Sequence, residues 1–130
     1  MVRDLDALHR FLADRQAMPF EWGDHANDCV SAAAAAIVAQ GGPDFLADMR
    51  WSSEEEAYAA LDAVGGLEEA VGALLTPIAP AFAQRGDIGA IAAGNGLILV
   101  VVEGDTIGGP GPTRFRRLPR RLLVKAWRAM

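Results

Sequence analysis

The stretch PFEWGDHANDCVSAAAAA, residues 19–36, sets the only cysteine of a 130-residue chain directly after Asn27-Asp28, at the head of an alanine-rich run. Asp28 or Asn27 can cap a helix by accepting its first unpaired amides, and Gly41-Gly42 can end it through the left-handed conformation, so a helix is predicted over residues 29–40. Residues 31–36 are nearly all small. A helix with so little side-chain bulk can lie close against a sheet or another helix, which makes it central and buried. The Cys29 thiol, in the first turn, meets the positive end of the helix macrodipole, where the thiolate is favoured and the pKa falls. Cysteine is also among the most buried residue types and commonly acts as a small apolar filler; on spacing alone, that role is favoured.

Outward from this helix, the pattern changes near Arg85. Before it, LDALHRFLADRQ places Leu5, Leu8, Phe11 and Leu12 on one helical face with His9 at its margin. PDFLADMR is expected to form a short helix with Pro43 in its first turn. Ser52 and Glu55 stand at capping-box spacing before a helix over about 53–64 that Gly65-Gly66 stops, and Glu54-Glu55-Glu56 suits its positive end. LEEAVGALL gives one more short helix, ended by Pro77 and Pro80. After Arg85 the period shortens: DIGAIAA and LILVVVE read as two strands joined by Gly94-Asn95-Gly96, followed by a short TIGG and a last strand in LLVKAW. Helices followed by a small antiparallel sheet make the fold α+β. The glycine- and proline-rich GDTIGGPGPTRF is expected to be a mobile rim over a cleft, and it lacks phosphate-loop spacing.

Length and a 52% hydrophobic composition fit one domain over residues 1–130. MVRDLDALHR carries acids where a secretory signal needs a basic start and an apolar run, so no export signal is visible. IGAIAAGNGLILVVV is broken into pieces far short of the roughly 20 residues of a spanning helix, so no membrane span is expected. One cysteine and two histidines exclude an internal disulfide and offer no zinc-ligand spacing; no metal or cofactor is expected. Charge divides sharply. Arg114, Arg116, Arg117, Arg120, Arg121, Lys125 and Arg128 follow Pro112 with no acid among them, so residues 113–130 carry +7 while the remainder has 5 bases against 17 acids, or −12, summing to −5. The basic segment can neutralise the acidic body within one fold or dock an acidic partner, a polyanion or a lipid surface. The interleaved Phe115, Leu118, Leu122, Leu123, Val124 and Trp127 favour packing within the fold. The acidic total and the lack of a recognisable motif argue against nucleic acid as ligand.

Pro19-Phe20-Glu21-Trp22-Gly23, then Asp28-Cys29 and a helix, resembles the signature of the NlpC-type cell-wall peptidases, papain-fold enzymes in which a Pro-aromatic-x-Trp-Gly turn precedes an Asp-Cys-Ser motif. The chain looks most like a small branch of that superfamily encoded in phage and prophage tail-gene clusters. AQRGDIGAI, residues 83–91, is similar to the Arg-Gly-Asp approach to the first sheet strand of those proteins, and the likeness covers roughly residues 5–108. The resemblance implies a papain-like domain with Cys29 as nucleophile, and it draws attention to Phe20, Trp22, Gly23 and Asp28 as binding residues. Phe20 and Trp22 could line a groove for a peptide or glycan, or could anchor the loop in the core.

The family's partner histidine should stand at the start of the second sheet strand, where this chain has Leu97-Ile98-Leu99-Val100. Thiol hydrolysis needs a base within hydrogen-bond reach that later protonates the leaving amine. His25, four residues before Cys29, is the nearest candidate, and His9 would have to be brought over by helix packing. The expectation is a degenerate, non-catalytic assembly or binding component of a phage or phage-like tail tip. It would be made in the bacterial cytoplasm, carried in the particle, and partnered by tail proteins. The alternative is a thiol hydrolase acting on cell-wall peptides through Cys29 with a non-standard base.

Overall fold

The computed structural model describes residues 3–94 and 96–129. Helix α1 (Leu5–Ala17) starts at Asp4, whose carboxylate accepts from the Ala7 amide at 2.9 Å. It buries Leu8 and Leu12 and leaves His9 and Leu5 exposed, so the apolar face is narrower than its spacing suggests. Helix α2 (Cys29–Ala39) is capped by Asp28 and ends at Gln40. There Gly41 at φ 95° donates to Val38 and Gly42 donates to Ile37, both at 2.9 Å, so two orphan carbonyls are satisfied. As its composition requires, α2 is buried on nearly every side, from Val30 to Ile37.

The helix expected in PDFLADMR does not form. The Asp44 carboxylate accepts from the Leu46 amide at 2.9 Å, and the backbone bonds Ala47→Asp44 and Met49→Leu46 span three residues, so the segment is a turn that drops Phe45 and Leu46 into the core. Helix α3 (Glu54–Ala63) begins one residue later than the Ser52/Glu55 spacing implies. Ser53 is the cap, accepting from the Glu56 amide at 3.2 Å, while the Glu56 carboxylate reaches back to the Ser52 amide at 2.8 Å. Gly65 at φ 100° and Gly66 then close α3, and α4 (Leu67–Gly72) follows.

Six strands, β1 (Thr76–Ile78), β2 (Ile88–Ala93), β3 (Gly96–Val102), β4 (Thr106–Pro110), β5 (Phe115–Pro119) and β6 (Leu123–Arg128), form one antiparallel sheet in the order β1-β6-β2-β3-β4-β5. The architecture is α+β, with the helices first and the sheet after them. Asn95, in the turn expected between β2 and β3, lies outside the described residues. Two strands were not expected. β1 contains Pro77, tolerated because β1 is an edge strand paired only with β6. β5 grows from the basic segment, and with β4 it converts the expected mobile rim into a hairpin.

Both faces of the sheet are covered, which explains the unbroken apolar run of β3. Leu99 and Val101 join Ile88, Ala90 and Trp127 against α1, α2 and the Trp51 loop, while Val100 and Val102 join Ile91, Ile107 and Leu123 in a smaller core opposite. Arg120 fastens that second core. Its guanidinium donates to the carbonyls of Pro80 at 3.1 Å, Gly104 at 3.2 Å and Ala83. Arg117 pairs with Glu103 at 3.2 Å and Lys125 with Glu68 at 3.4 Å, so part of the basic segment is neutralised within the fold. Among the described residues no helix is long and apolar enough to cross a membrane.

Candidate functional site

The PFEWG stretch folds back on α2 as a tight loop. Glu21 and Asn27 face each other through paired backbone bonds of 3.4 and 3.2 Å. Buried Asn27 donates to the carbonyls of Met18 at 3.3 Å and Pro19 at 3.1 Å and accepts from Arg15 at 3.1 Å. Asp28, wholly buried, accepts from the Ser31 amide at 2.7 Å, the Gly23 amide at 3.1 Å and the Trp51 indole at 3.0 Å. The Ser31 hydroxyl donates to the Gly23 carbonyl at 2.8 Å. Asp28 and Gly23, candidate binding residues in the sequence, therefore point into the loop and hold it on the helix.

An open cleft of about 710 Å³ lies beside this loop, with Trp22, Cys29, Tyr58, Leu61, Leu97 and Ile98 among its lining residues. Its rim includes Asp62, Glu68 and Glu69. Phe20 stands edge-on to Trp22 at 5.4 Å between ring centroids, and Trp22 lies 6.3 Å from Tyr58. Phe20 thus supports Trp22 from behind the cleft, and Trp22 and Tyr58 present aromatic surface to it. The cleft joins aromatic and aliphatic walls to an acidic rim, a chemistry suited to holding a partner segment.

Cys29 is partly buried at the end of α2. Its thiol is pushed up to about 11, first by burial and then by the neighbouring Asp28 carboxylate; the Leu99 and Val30 backbone groups oppose this without reversing it. The macrodipole expectation is therefore overturned. A carboxylate fixed at the same helix end and the loss of solvent outweigh the partial positive charge. Leu97 and Ile98, where the base would be needed, are apolar walls of the same cleft.

Neither histidine lines the cleft. His9 is exposed on α1. His25, at φ 63°, places Nε2 2.7 Å from the Asp44 carboxylate and Nδ1 3.2 Å from Asp24, and it does not line the Cys29 cleft. Asp24 in turn accepts from the Trp51 amide at 2.7 Å. The imidazole therefore ties the turn at Asp44 to the PFEWG loop. Hydrogen bonding to Asp44 and then Asp24 raises the His25 pKa, and the backbone bond from Trp51 is the largest influence lowering that of Asp24. The signs fix the pH window. A raised imidazole pKa adds stability that is complete below the unfolded value of about 6.5 and is lost as pH rises through the folded value; a depressed carboxylate adds stability above about 4 that is lost in acid. His25→Ala should thus reduce stability most between about pH 4 and 6.5 and least above neutrality, measured as urea midpoints across pH. A difference that grows with rising pH would contradict the clamp.

Residues 3–129 match the family model described as a Domain of unknown function (DUF6950). The chain belongs to the DUF6950 family. No curated protein matches it, and no solved structure does. In this DUF6950 chain two site residues escaped the sequence pattern. Tyr58 stands in a polar stretch of α3 and reaches the cleft only through helix packing. Trp51 precedes the α3 cap, and the one available signal was that a buried indole N–H needs an acceptor, which Asp28 provides.

Proposed function

We propose that this chain is a papain-like module that has kept the thiol-bearing helix, lost the hydrolytic base, and serves as a non-catalytic assembly or binding component of a phage or phage-like tail tip, with the Cys29 cleft as its binding site. The tail setting is drawn from the likeness of the Trp-Gly and Asp-Cys stretch to the tail-cluster branch. The absence of catalysis is drawn from the site. One observation carries it: the Cys29 thiol, raised to about 11, shares its cleft with Leu97 and Ile98 while His25 is bonded to Asp24 and Asp44. With so few thiolates at neutral pH and no imidazole in the cleft to protonate a leaving amine, neither half of acyl transfer is supplied.

Alkylation of this single thiol by iodoacetamide tests the chemistry. Moving a thiol from 9.0 to about 11 lowers its thiolate fraction at neutral pH about a hundredfold, and the greater nucleophilicity of the more basic thiolate offsets part of this, so the folded protein should react at least about tenfold more slowly than a free thiol, with the rate still climbing above pH 9. A rate already on its plateau near pH 7, together with cell-wall cleavage lost in Cys29→Ala, would establish the hydrolase instead. The setting is tested by peptide mass spectrometry of purified particles from a bacterium that encodes the chain. Its presence at fixed stoichiometry, unchanged by Cys29→Ala, supports a tail component, and its absence from intact particles overturns that assignment.

A further inference from the structure

The sheet ends in an edge unlike its opposite one. β1 is three residues long with Pro77 at its centre, whereas β5 runs five residues, carries its proline, Pro119, only at its end, and is paired only with β4. The Gly111 amide donates to the Arg114 carbonyl at 2.9 Å, which makes them a hydrogen-bonded pair of the β4–β5 hairpin. Such pairs alternate along an antiparallel ladder, so Gly109↔Arg116 and Ile107↔Leu118 are bonded pairs, and the N–H and C=O groups of Phe115 and Arg117 point away from β4. Pro110, which has no N–H to give, stands opposite Phe115 and fits the same parity. Among the described residues no backbone group outside β4 bonds to Phe115 or Arg117.

The side chains of this edge state what it accepts. Arg114, Arg116 and Arg117 are exposed along it, with Arg121 just beyond. Only Arg117 of these four has an ionic partner among the described residues, and residues 113–130 contain no acid. A shallow hollow of about 320 Å³ is lined by Arg114 to Leu118 alone. The same charges would repel the β5 edge of a second copy, which disfavours edge-to-edge pairing of this chain with itself.

We infer that the outer edge of β5 takes up an acidic, extended segment of a partner protein as an added antiparallel or parallel strand, the backbone bonding to Phe115 and Arg117 and the acids facing Arg114 and Arg116. A strand is favoured over a flexible polyanion because the edge offers regularly spaced backbone groups as well as charge. The hollow along this edge shares no lining residue with the aromatic cleft, although Arg116 and Leu118 also line a small cavity with Cys29, and the inference stands whether or not the cleft reading does.

The test is titration of an alternating Glu-Val peptide of about eight residues into isotopically labelled full-length protein, followed by amide NMR. Shifts should concentrate at Phe115 and Arg117, binding should weaken as salt rises, and Arg114→Glu or Arg116→Glu should each lower affinity about tenfold or more with the remaining amide spectrum unchanged. The same peptide N-methylated at alternate residues keeps its charge but cannot pair, and it should also lose at least about tenfold. Equal binding of the methylated peptide, or equal shifts produced by inorganic polyphosphate, would reduce the edge to a general anion patch and overturn strand addition. No binding at low salt would also overturn it and leave the arginines as protection against edge aggregation. Salt-sensitive self-association without the peptide would make the acidic body of a second copy the occupant and overturn the partner assignment.

Discussion

Asp28→Ala should destabilise the protein by about 4 kcal/mol, a large share of the about 5–15 kcal/mol that holds a domain folded. The carboxylate is the α2 cap and also the acceptor for the Gly23 amide and the Trp51 indole, so one truncation strips three donors at once. A lost cap alone costs about 1 kcal/mol, and each buried donor left without a partner adds about 1–3 kcal/mol. The electrostatic attraction between Asp28 and half-buried Arg15 is lost as well. Asp28→Asn keeps one oxygen acceptor but sets an amide among donors, so its loss should fall between wild type and the alanine variant. Trp51→Phe removes only the indole donor and should cost about 1–2 kcal/mol. Chemical denaturation of the three variants checks the order, and an Asp28→Ala loss no larger than that of Trp51→Phe would show that Asp28 does not organise the loop.

The local and the distant parts of this architecture differed in legibility for a physical reason. The cap at Asp28, the Gly41-Gly42 and Gly65-Gly66 stops and the β2–β3 run are determined by backbone bonding within a few residues or by long apolar patterning, and all lie where the sequence points. β1 and β5 are short, contain proline or arginine, and become strands only because β6 and β4 offer them partners. The PDFLADMR segment has helical composition, yet Asp44 satisfies a nearby amide with its own side chain, and the turn that results buries Phe45 and Leu46. At the site, the position of Cys29 on α2 was legible. The direction of its pKa shift was not, because it is set by enclosure and by a carboxylate whose own bonds lie with Gly23 and Trp51.

Asp87→Ala should be comparably damaging, with a loss of about 3–5 kcal/mol, for reasons the Arg-Gly-Asp stretch conceals. Its buried carboxylate accepts from the Gln84 amide at 2.7 Å, from the Ala129 amide at 3.0 Å and from Arg3, tying together the turn before β2, the residue after β6 and the segment before α1. The adjacent Gly86 deepens the dependence. It sits at φ 93°, donates to Val102 at 2.8 Å and accepts from buried Gln40 at 2.9 Å, so a side chain there would collide with the Gln40 amide. Arg3→Ala separates the contributions. It removes one donor from Asp87 and strands the carboxylate's charge, but it keeps both backbone bonds, so it should cost less than Asp87→Ala while shifting stability in the same direction. The Arg3→Ala, Asp87→Ala double variant should then lose clearly less than the sum of the two, because the pair is counted in both single changes. Strict additivity in a thermal or urea unfolding cycle would mean that Arg3 and Asp87 do not act as one unit, and the ends of the chain would need another fastening to the sheet.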